Sequence, residues 1–125
     1  MTLLTTKEIN NLHNTLIDRT GGSQGIREES LLESAVYSAL SSFGDSEAYP
    51  TIEEKSARLM FALTNNHSFI DGNKRIGIFV MLMTLKLNNV NIKYSQAELI
   101  TLGLTVADGA LDYDGILDWI TKHKM

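Results

Sequence analysis

Five residues close together in the sequence could act on a phosphorylated ligand: His67, Asp71, Gly72, Lys74 and Arg75. Asp71 offers a hard oxygen ligand for Mg²⁺, which proteins bind through one or two carboxylates together with substrate phosphates. Lys74 and Arg75 are cations, and an arginine can hold two phosphate oxygens at once. His67 can accept a proton from a hydroxyl, because the ordinary pKa of histidine is about 6.5. These residue types together indicate phosphate binding, a metal and a general base.

The segment stands at the start of a predicted helix, which supports the same chemistry. We expect this helix to begin at Gly72 or Asn73. The first turn of a helix leaves backbone N–H groups unpaired and carries the positive end of the helix dipole, so it can bind an anion. Gly72 permits the tight backbone that directs those groups toward a ligand. Each feature is also common in ordinary turns, so residue types and spacing alone leave open a plain turn with solvated cations.

The elements that position this segment are predicted to be helices. Residues 5–8, 51–54 and 95–98 match the capping-box pattern, in which a hydroxyl and a glutamate satisfy the first free amides of a helix. The spacing of apolar residues predicts six helices, over residues 6–20, 28–42, 51–66, 72–88, 95–107 and 113–123. The fourth is apolar on nearly all sides and should be the central buried helix, about residues 73–88. We therefore predict an all-α fold, with a short hairpin in one loop.

Composition sets the broad class of the protein. The 125 residues, 43% of them hydrophobic and only one of them proline, fit a single globular domain over residues 1–125. A net charge of −4 argues against broad nucleic-acid binding, and the absence of cysteine excludes disulfides and thiolate metal sites. The longest apolar run, residues 76–87, is shorter than the roughly 20 residues that cross a bilayer. No secretory signal is evident, so a soluble cytoplasmic protein is expected.

The segment from His67 to Arg75 also resembles the signature of the Fic/Doc family, His-x-Phe-x-Asp/Glu-Gly/Ala-Asn-x-Arg. The six constrained positions are filled here by His67, Phe69, Asp71, Gly72, Asn73 and Arg75. Further stretches, residues 9–13, 21–27, 31–35 and 49–51, resemble landmarks of the death-on-curing (Doc) branch of the family. The resemblance implies a compact six-helix Fic/Doc fold around the central helix.

Two positions point to one branch of that family. Adenylyl-transferring members carry a glycine where this chain has Lys74, and a second arginine where it has Ile78. Both differences match the death-on-curing branch, whose members transfer the γ-phosphate of ATP. The resemblance therefore implies a toxin of a type II toxin–antitoxin system. It would be a protein kinase that uses ATP and Mg²⁺ and halts translation by phosphorylating a threonine of elongation factor Tu.

The resemblance also implies a role for each site residue. His67 would be the general base on the threonine hydroxyl. Asp71 would hold Mg²⁺ and orient the nucleophile. Arg75 would act in catalysis by neutralising charge on the transferred group. Four residues would bind the phosphates: Gly72, Asn73, Lys74 and Arg75.

The sequence also bears on how the protein would be inhibited. Many Fic enzymes carry an internal inhibitory motif ending in glutamate followed by glycine or asparagine, and no glutamate here is followed by either. The resemblance thus implies inhibition by a cognate Phd-like antitoxin, whose disordered segment folds into a groove. Arg19 and the first helix are candidates for the wall of that groove. No direct nucleic-acid binding and no membrane association are expected.

Alternatives remain open for the function and for two further features. The chain could be a nucleotidyl (AMP) transferase despite Lys74, or a catalytically idle binding module of a toxin–antitoxin complex. Residues 43–49 could form a flap that aligns protein substrates, or a plain surface loop. His13 lies on the amphipathic first helix, where we expect a structural or hydrogen-bonding role rather than catalysis.

Overall fold

The structure is a computed structural model that describes residues 1–125, and it consists of six helices and one short hairpin. The helices are α1 Thr6–Thr20, α2 Glu29–Ser38, α3 Ile52–Asn65, α4 Asn73–Leu87, α5 Gln96–Ala107 and α6 Tyr113–His123. The strands β1 Ser42–Phe43 and β2 Ser46–Glu47 pair antiparallel, with Ser42 opposite Glu47. The predicted all-α architecture and the short hairpin are confirmed. None of the helices is long and apolar enough to cross a membrane.

Helices α1, α3 and α5 begin with the capping boxes that the sequence predicts. At the start of α1, the Thr5 hydroxyl accepts a hydrogen bond from the Glu8 amide at 3.1 Å, and the Glu8 carboxylate accepts one from the Thr5 amide at 2.9 Å. The same reciprocal pair is present at the starts of α3 and α5. These caps are local, since both partners lie within four residues, and the sequence alone is enough to predict them.

Helix α2 is shorter than predicted, because it ends at Ser38 rather than Ser42. Beyond Ser38 the backbone hydrogen bonds reach back three residues instead of four, and the amide of Leu40 donates to the Tyr37 carbonyl at 2.9 Å. Ser42 then pairs with Glu47 across the hairpin, whose turn contains Gly44 in the left-handed region at φ 61°. The apolar spacing that extends to Leu40 led to the wrong boundary, since Leu40 itself is largely exposed.

Helix α4 is the central helix, as predicted. Ile76 and Val80 belong to one buried apolar cluster, formed with α1, α2 and α3, while Met81 and Leu85 belong to a second, formed with α3, α5 and α6. Helix α3 packs closely along α4. At Gly77 a Cβ atom would collide with the Thr64 hydroxyl of α3, so glycine is required for this approach. The two clusters fix the start of α4 against the end of α3, and the predicted site lies at this junction.

Candidate active site

The predicted site segment connects the end of α3 to the start of α4 and is held by backbone pairing to residues 25–27. The amide of Arg27 donates to the Ser68 carbonyl at 2.8 Å, and the amide of Ile70 donates to the Gly25 carbonyl at 3.1 Å. Phe69 lies between these bonds and is buried, with 1% of its surface exposed. Its aromatic ring therefore anchors the segment in the first apolar cluster.

His67 presents a free imidazole to solvent. Its side chain is exposed and forms no hydrogen bond with the rest of the chain, and its backbone is left-handed at φ 55°. Such a backbone is uncommon for a residue other than glycine and is kept only where the surroundings hold it. Arg27 stabilises this backbone, because its Nε donates to the His67 carbonyl at 2.7 Å and its Nη2 to the Asn66 carbonyl at 3.4 Å. The ring is thus fixed at its base and available to a ligand.

Asp71 is an ionised carboxylate held by backbone amides. Its Oδ2 accepts from the Ser23 amide at 3.1 Å and its Oδ1 from the Gly72 amide at 2.7 Å. Hydrogen bonds from Ser23 and then Gly72 lower the pKa of Asp71, and the nearby Arg75 and His13 lower it further. The side chain is 46% exposed, so further lone pairs face solvent.

The donor set suits Mg²⁺ only when phosphate completes the coordination. No group of three or more His, Cys, Asp or Glu side chains could hold a metal ion by itself. Mg²⁺ commonly binds proteins through one or two carboxylates plus waters and substrate phosphates. A single exposed carboxylate beside a phosphate-binding helix start fits that mode.

The start of α4 leaves three amides unpaired. Gly72 precedes the helix in the left-handed region at φ 75°, and the first helical bond runs from the Ile76 amide to the Gly72 carbonyl at 2.9 Å. The amides of Asn73, Lys74 and Arg75 therefore have no helical partner. They lie where the sequence predicts an anion site.

The side chain of Asn73 does not face this anion site. Its Oδ1 accepts from the Phe69 amide at 3.0 Å, and its Nδ2 donates to the Phe69 carbonyl at 3.0 Å. Both ends of the amide thus close the loop onto Phe69. Only the backbone N–H of Asn73 is available to a phosphate.

The two cations are held in different ways. Arg75 donates through Nη1 to the Thr20 hydroxyl at 2.6 Å and to the Gly21 carbonyl at 2.8 Å, and its Nη2 lies 3.6 Å from Asp71 Oδ1. Lys74 packs its aliphatic stem beside Gly103 of α5 and has no ion-pair partner. The guanidinium is therefore oriented in advance, whereas the ammonium is free to reach a ligand.

Lys74 and Arg75 stand at one end of a groove between α1, α4 and α5, which we call the α1–α4–α5 groove. It has a volume of about 360 Å³. The lining is mainly apolar and comprises Leu16, Thr20, Lys74, Arg75, Ile78, Phe79, Leu82, Gln96, Leu99, Ile100 and Gly103. The first helix thus forms part of a groove wall, while Arg19 is not among the lining residues.

Sequence reasoning missed the contacts that α1 and its following loop make with the site. His13 is fully buried, its Nε2 lies 2.7 Å from the Asp71 carbonyl oxygen, and its ring stacks on Phe69 at 3.8 Å. The expected hydrogen-bonding role of His13 is confirmed, but its partner could not be read from the sequence. Ser23 and Arg27 lie in the stretch 21–27, whose likeness to the family landmarks was the only signal for them.

The hairpin lies apart from the site residues. Lys55, in the first turn of α3, is buried and donates to Glu47 Oε1 at 2.9 Å and to the Tyr49 carbonyl. Lys55 precedes Asn65, the last residue of α3, by ten residues, about 15 Å along the helix axis. No hydrogen bond joins the hairpin to residues 67–75. A flap role for residues 43–49 stays a prediction.

Comparison with known proteins places the site within a recognised family. Residues 3–85 match the model of the Fic/DOC family. A curated relative, Toxin Doc of Mycolicibacterium smegmatis, is 33% identical over 72 residues. That alignment covers 58% of this chain and 55% of the relative, so it spans about half the relative's length. The family match includes the whole segment from His67 to Arg75 and ends within α4.

Proposed function

Because this chain belongs to the Fic/DOC family, we propose that it is a death-on-curing type toxin that transfers the γ-phosphate of ATP to a threonine hydroxyl of a protein. From the family resemblance we also propose that the substrate is elongation factor Tu, that the outcome is a halt in translation and that the protein acts in the cytoplasm. The observation that carries the proposal is the start of α4, where three unpaired amides lie beside the ionised Asp71 and the oriented Arg75.

The phosphates would bind at this helix start. The amides of residues 73–75 donate to phosphate oxygens, and the guanidinium of Arg75, held by Thr20 and Gly21, neutralises charge as the phosphoryl group moves. Asp71 would hold Mg²⁺, which when bound neutralises phosphate charge and orients the group. Preorganised charge of this kind is the main contribution a protein makes to phosphoryl transfer.

His67 would serve as the general base. Its imidazole has no partner in the chain and faces solvent, so a threonine hydroxyl can approach it. In the transfer, the hydroxyl oxygen forms a bond to the γ-phosphorus and the bond to the bridging oxygen breaks. ADP leaves with the electron pair, and His67 takes the hydroxyl proton.

Positions 74 and 78 support phosphoryl over nucleotidyl transfer. Lys74 adds a long side chain where adenylyl-transferring members have a glycine. Ile78 faces the apolar α1–α4–α5 groove, where a second arginine would grip the outer phosphate. Without that second arginine the nucleotide orientation used for AMP transfer lacks its usual partner.

The reaction is tested with ATP labelled at the γ or the α phosphate, Mg²⁺ and purified elongation factor Tu, with a bacterial lysate in parallel. We expect protein-bound label from γ alone. Label from α would instead indicate AMP transfer, the first alternative. No label from a correctly folded protein would indicate a binding module. His67→Ala serves as the inactive control.

We also propose that a cognate Phd-like antitoxin binds in the α1–α4–α5 groove. Its apolar lining suits the apolar face of a helix, and its two cations suit an acidic residue at one end of that segment. Ile100, on α5, lines the groove and is 52% exposed. Ile100→Asp should abolish antitoxin binding and leave phosphate transfer intact. Tyr94→Asp, at a position 38% exposed and outside the groove, is the control and should bind normally.

A further inference from the structure

His13 is a buried histidine that contacts the site segment from α1. Its side chain is fully buried, and its Nε2 lies 2.7 Å from the backbone carbonyl oxygen of Asp71, 58 residues later in the chain. Its other ring nitrogen, Nδ1, is also buried and has no hydrogen-bond partner. The carbonyl can only accept a hydrogen bond, so Nε2 carries a proton and donates a hydrogen bond to the Asp71 carbonyl oxygen.

The ring of His13 also fills the space beneath the segment. It stacks on Phe69 with centroids 3.8 Å apart and planes inclined by 11°. At Gly72 a Cβ atom would lie 3.4 Å from Nε2, so the backbone of the segment passes directly over the ring. One side chain of α1 therefore touches three residues of the segment: Phe69, Asp71 and Gly72.

These contacts hold the peptide unit between Asp71 and Gly72, whose amide also bonds to the Asp71 carboxylate. The carbonyl of Asp71 and the amide of Gly72 belong to the same rigid peptide unit. His13 holds the carbonyl on one side of this unit, and the amide on the other side donates to Asp71 Oδ1 at 2.7 Å. Without the hydrogen bond from His13, we expect this peptide unit to rotate about its flanking backbone bonds. The Asp71 carboxylate would then lose its hydrogen bond from the Gly72 amide.

We propose that His13 is a positioning residue that holds the carboxylate of Asp71 in the orientation required for a Mg²⁺–nucleotide, acting through the Asp71 carbonyl. The inference rests on the proposed function, because it assigns Mg²⁺–ATP as the ligand of that carboxylate. His13 itself touches no reacting atom. Residues that orient metal ligands in this way change metal affinity or activity by roughly 10- to 100-fold when they are replaced.

Two substitutions separate the hydrogen bond from the ring packing. His13→Phe keeps an aromatic ring against Phe69 but removes the donor. His13→Gln keeps an N–H donor at a similar reach and loses the ring. Ile9→Val, at another fully buried position of α1, is the control for a general loss of packing. Each protein is first checked for cooperative thermal unfolding.

Three readouts are measured on each variant: the Mg²⁺ concentration that gives half-maximal transfer, Mg²⁺–ATP affinity by calorimetry, and amide hydrogen exchange at Ser23 and Gly72. For His13→Phe we expect a Mg²⁺ requirement raised by about 10-fold, an equal loss of affinity and faster exchange at both amides. For His13→Gln and Ile9→Val we expect values close to those of the wild type.

Two results would overturn the inference. One is a folded His13→Phe protein with wild-type affinity and exchange. The other is an equal loss in His13→Phe and His13→Gln, which would assign the effect to packing. Failure of the proposed function looks different, since the wild type itself would then transfer no phosphate. The exchange rates at Ser23 and Gly72 would still show whether His13 positions Asp71.

Discussion

The segment 67–75 and the α5–α6 region use their polar groups in opposite ways. In the α5–α6 region, His123 lies 2.6 Å from Glu98 Oε2 and 2.7 Å from the Trp119 carbonyl, and its ring stacks on Trp119. In the segment 67–75, His67 has no side-chain partner and the first amides of α4 are unpaired. The α5–α6 region pairs these polar groups internally, while the segment 67–75 leaves the His67 imidazole and three backbone amides without a partner in the chain.

The two regions also differ in what stabilises them. The α5–α6 region is stabilised by the second apolar cluster, which includes Leu102, Val106, Ile116 and Ile120. The segment 67–75 has Phe69 as its apolar anchor and is otherwise held by hydrogen bonds from α1 and residues 21–27. Substitutions in the two regions should therefore separate activity from stability.

The largest expected effect on activity comes from His67→Ala. Removing a positioned general base lowers the transfer rate roughly 100- to 10,000-fold. The free energy of unfolding should change by no more than about 0.5 kcal/mol, because the side chain is exposed and makes no hydrogen bond. Single-turnover transfer and thermal unfolding measure the two quantities.

A second variant tests whether the left-handed backbone at position 67 contributes to that loss. Asparagine tolerates this conformation better than alanine but supplies no base. His67→Asn should therefore be as inactive as His67→Ala. Full activity in either folded protein would remove His67 from the proposed mechanism.

The opposite result is expected for Ile116→Ala in α6. Ile116 is completely buried in the second cluster, so truncation should lower the free energy of unfolding by about 2–5 kcal/mol. The transfer rate of the folded fraction should stay near that of the wild type, because His67, Asp71 and Arg75 are not part of this cluster. Leu104→Ala, at a position 51% exposed on α5, is the control and should change stability by less than about 0.5 kcal/mol. A large loss of rate in folded Ile116→Ala protein would show that the two regions are coupled.

A smaller effect on stability is expected for Gly72→Ala. Alanine at φ 75° is strained, and its Cβ would lie 2.9 Å from Ile17 Cδ1 and 3.5 Å from Arg75 Nη2. We expect a loss of about 1–3 kcal/mol with a lower affinity for Mg²⁺–ATP. Gly44→Ala, at φ 61° with no atom near its Cβ, separates backbone strain from crowding. If both variants lose the same stability and neither loses affinity, Gly72 acts only through its backbone.

The smallest expected effect is the pH dependence of the pair formed by His123 and Glu98. The hydrogen bond to Glu98 raises the pKa of His123, and the hydrogen bond to His123 lowers the pKa of Glu98 to about 2. The histidine contribution to stability is present below the ordinary value of about 6.5 and is lost as pH rises through the raised pKa. The glutamate contribution is present above the ordinary glutamate pKa of 4.5 and is lost as pH falls toward about 2.

Melting temperatures should therefore show this pair most strongly near pH 6. The difference between the wild type and His123→Gln should shrink as pH rises from about 6 to about 9. Lys122→Gln is the control, because Lys122 pairs with Asp118 on the surface and its pKa is raised above 10.5. A constant difference for His123→Gln across this range would show that packing on Trp119, and not the ion pair, stabilises the end of α6.

Much of the fold could be predicted because its signals are local. The capping boxes at Thr5, Thr51 and Ser95 place the starts of three helices correctly. The apolar run of α4 predicts a central helix, and the structure buries it between two clusters. The predicted end of α2 was wrong, because apolar spacing carries no information on where the chain turns into a hairpin.

The candidate site was predictable by residue type but not by contact. Asn73 belongs to the predicted phosphate site, yet its side chain closes the loop on Phe69 and only its amide remains available. Arg27 holds the backbone of His67 from 40 residues away, and Ser23 holds Asp71 from 48 residues away.

The sequence by itself determined the helix starts and the central helix, and it predicts which residues could bind phosphate. Each of these depends on neighbours within a few positions or on one helical face. The tertiary structure alone decided which groups are free and which are held, including the bond from His13 to Asp71 across 58 residues. Such contacts depend on how α1 packs against α4, which is set by the burial of both apolar faces together.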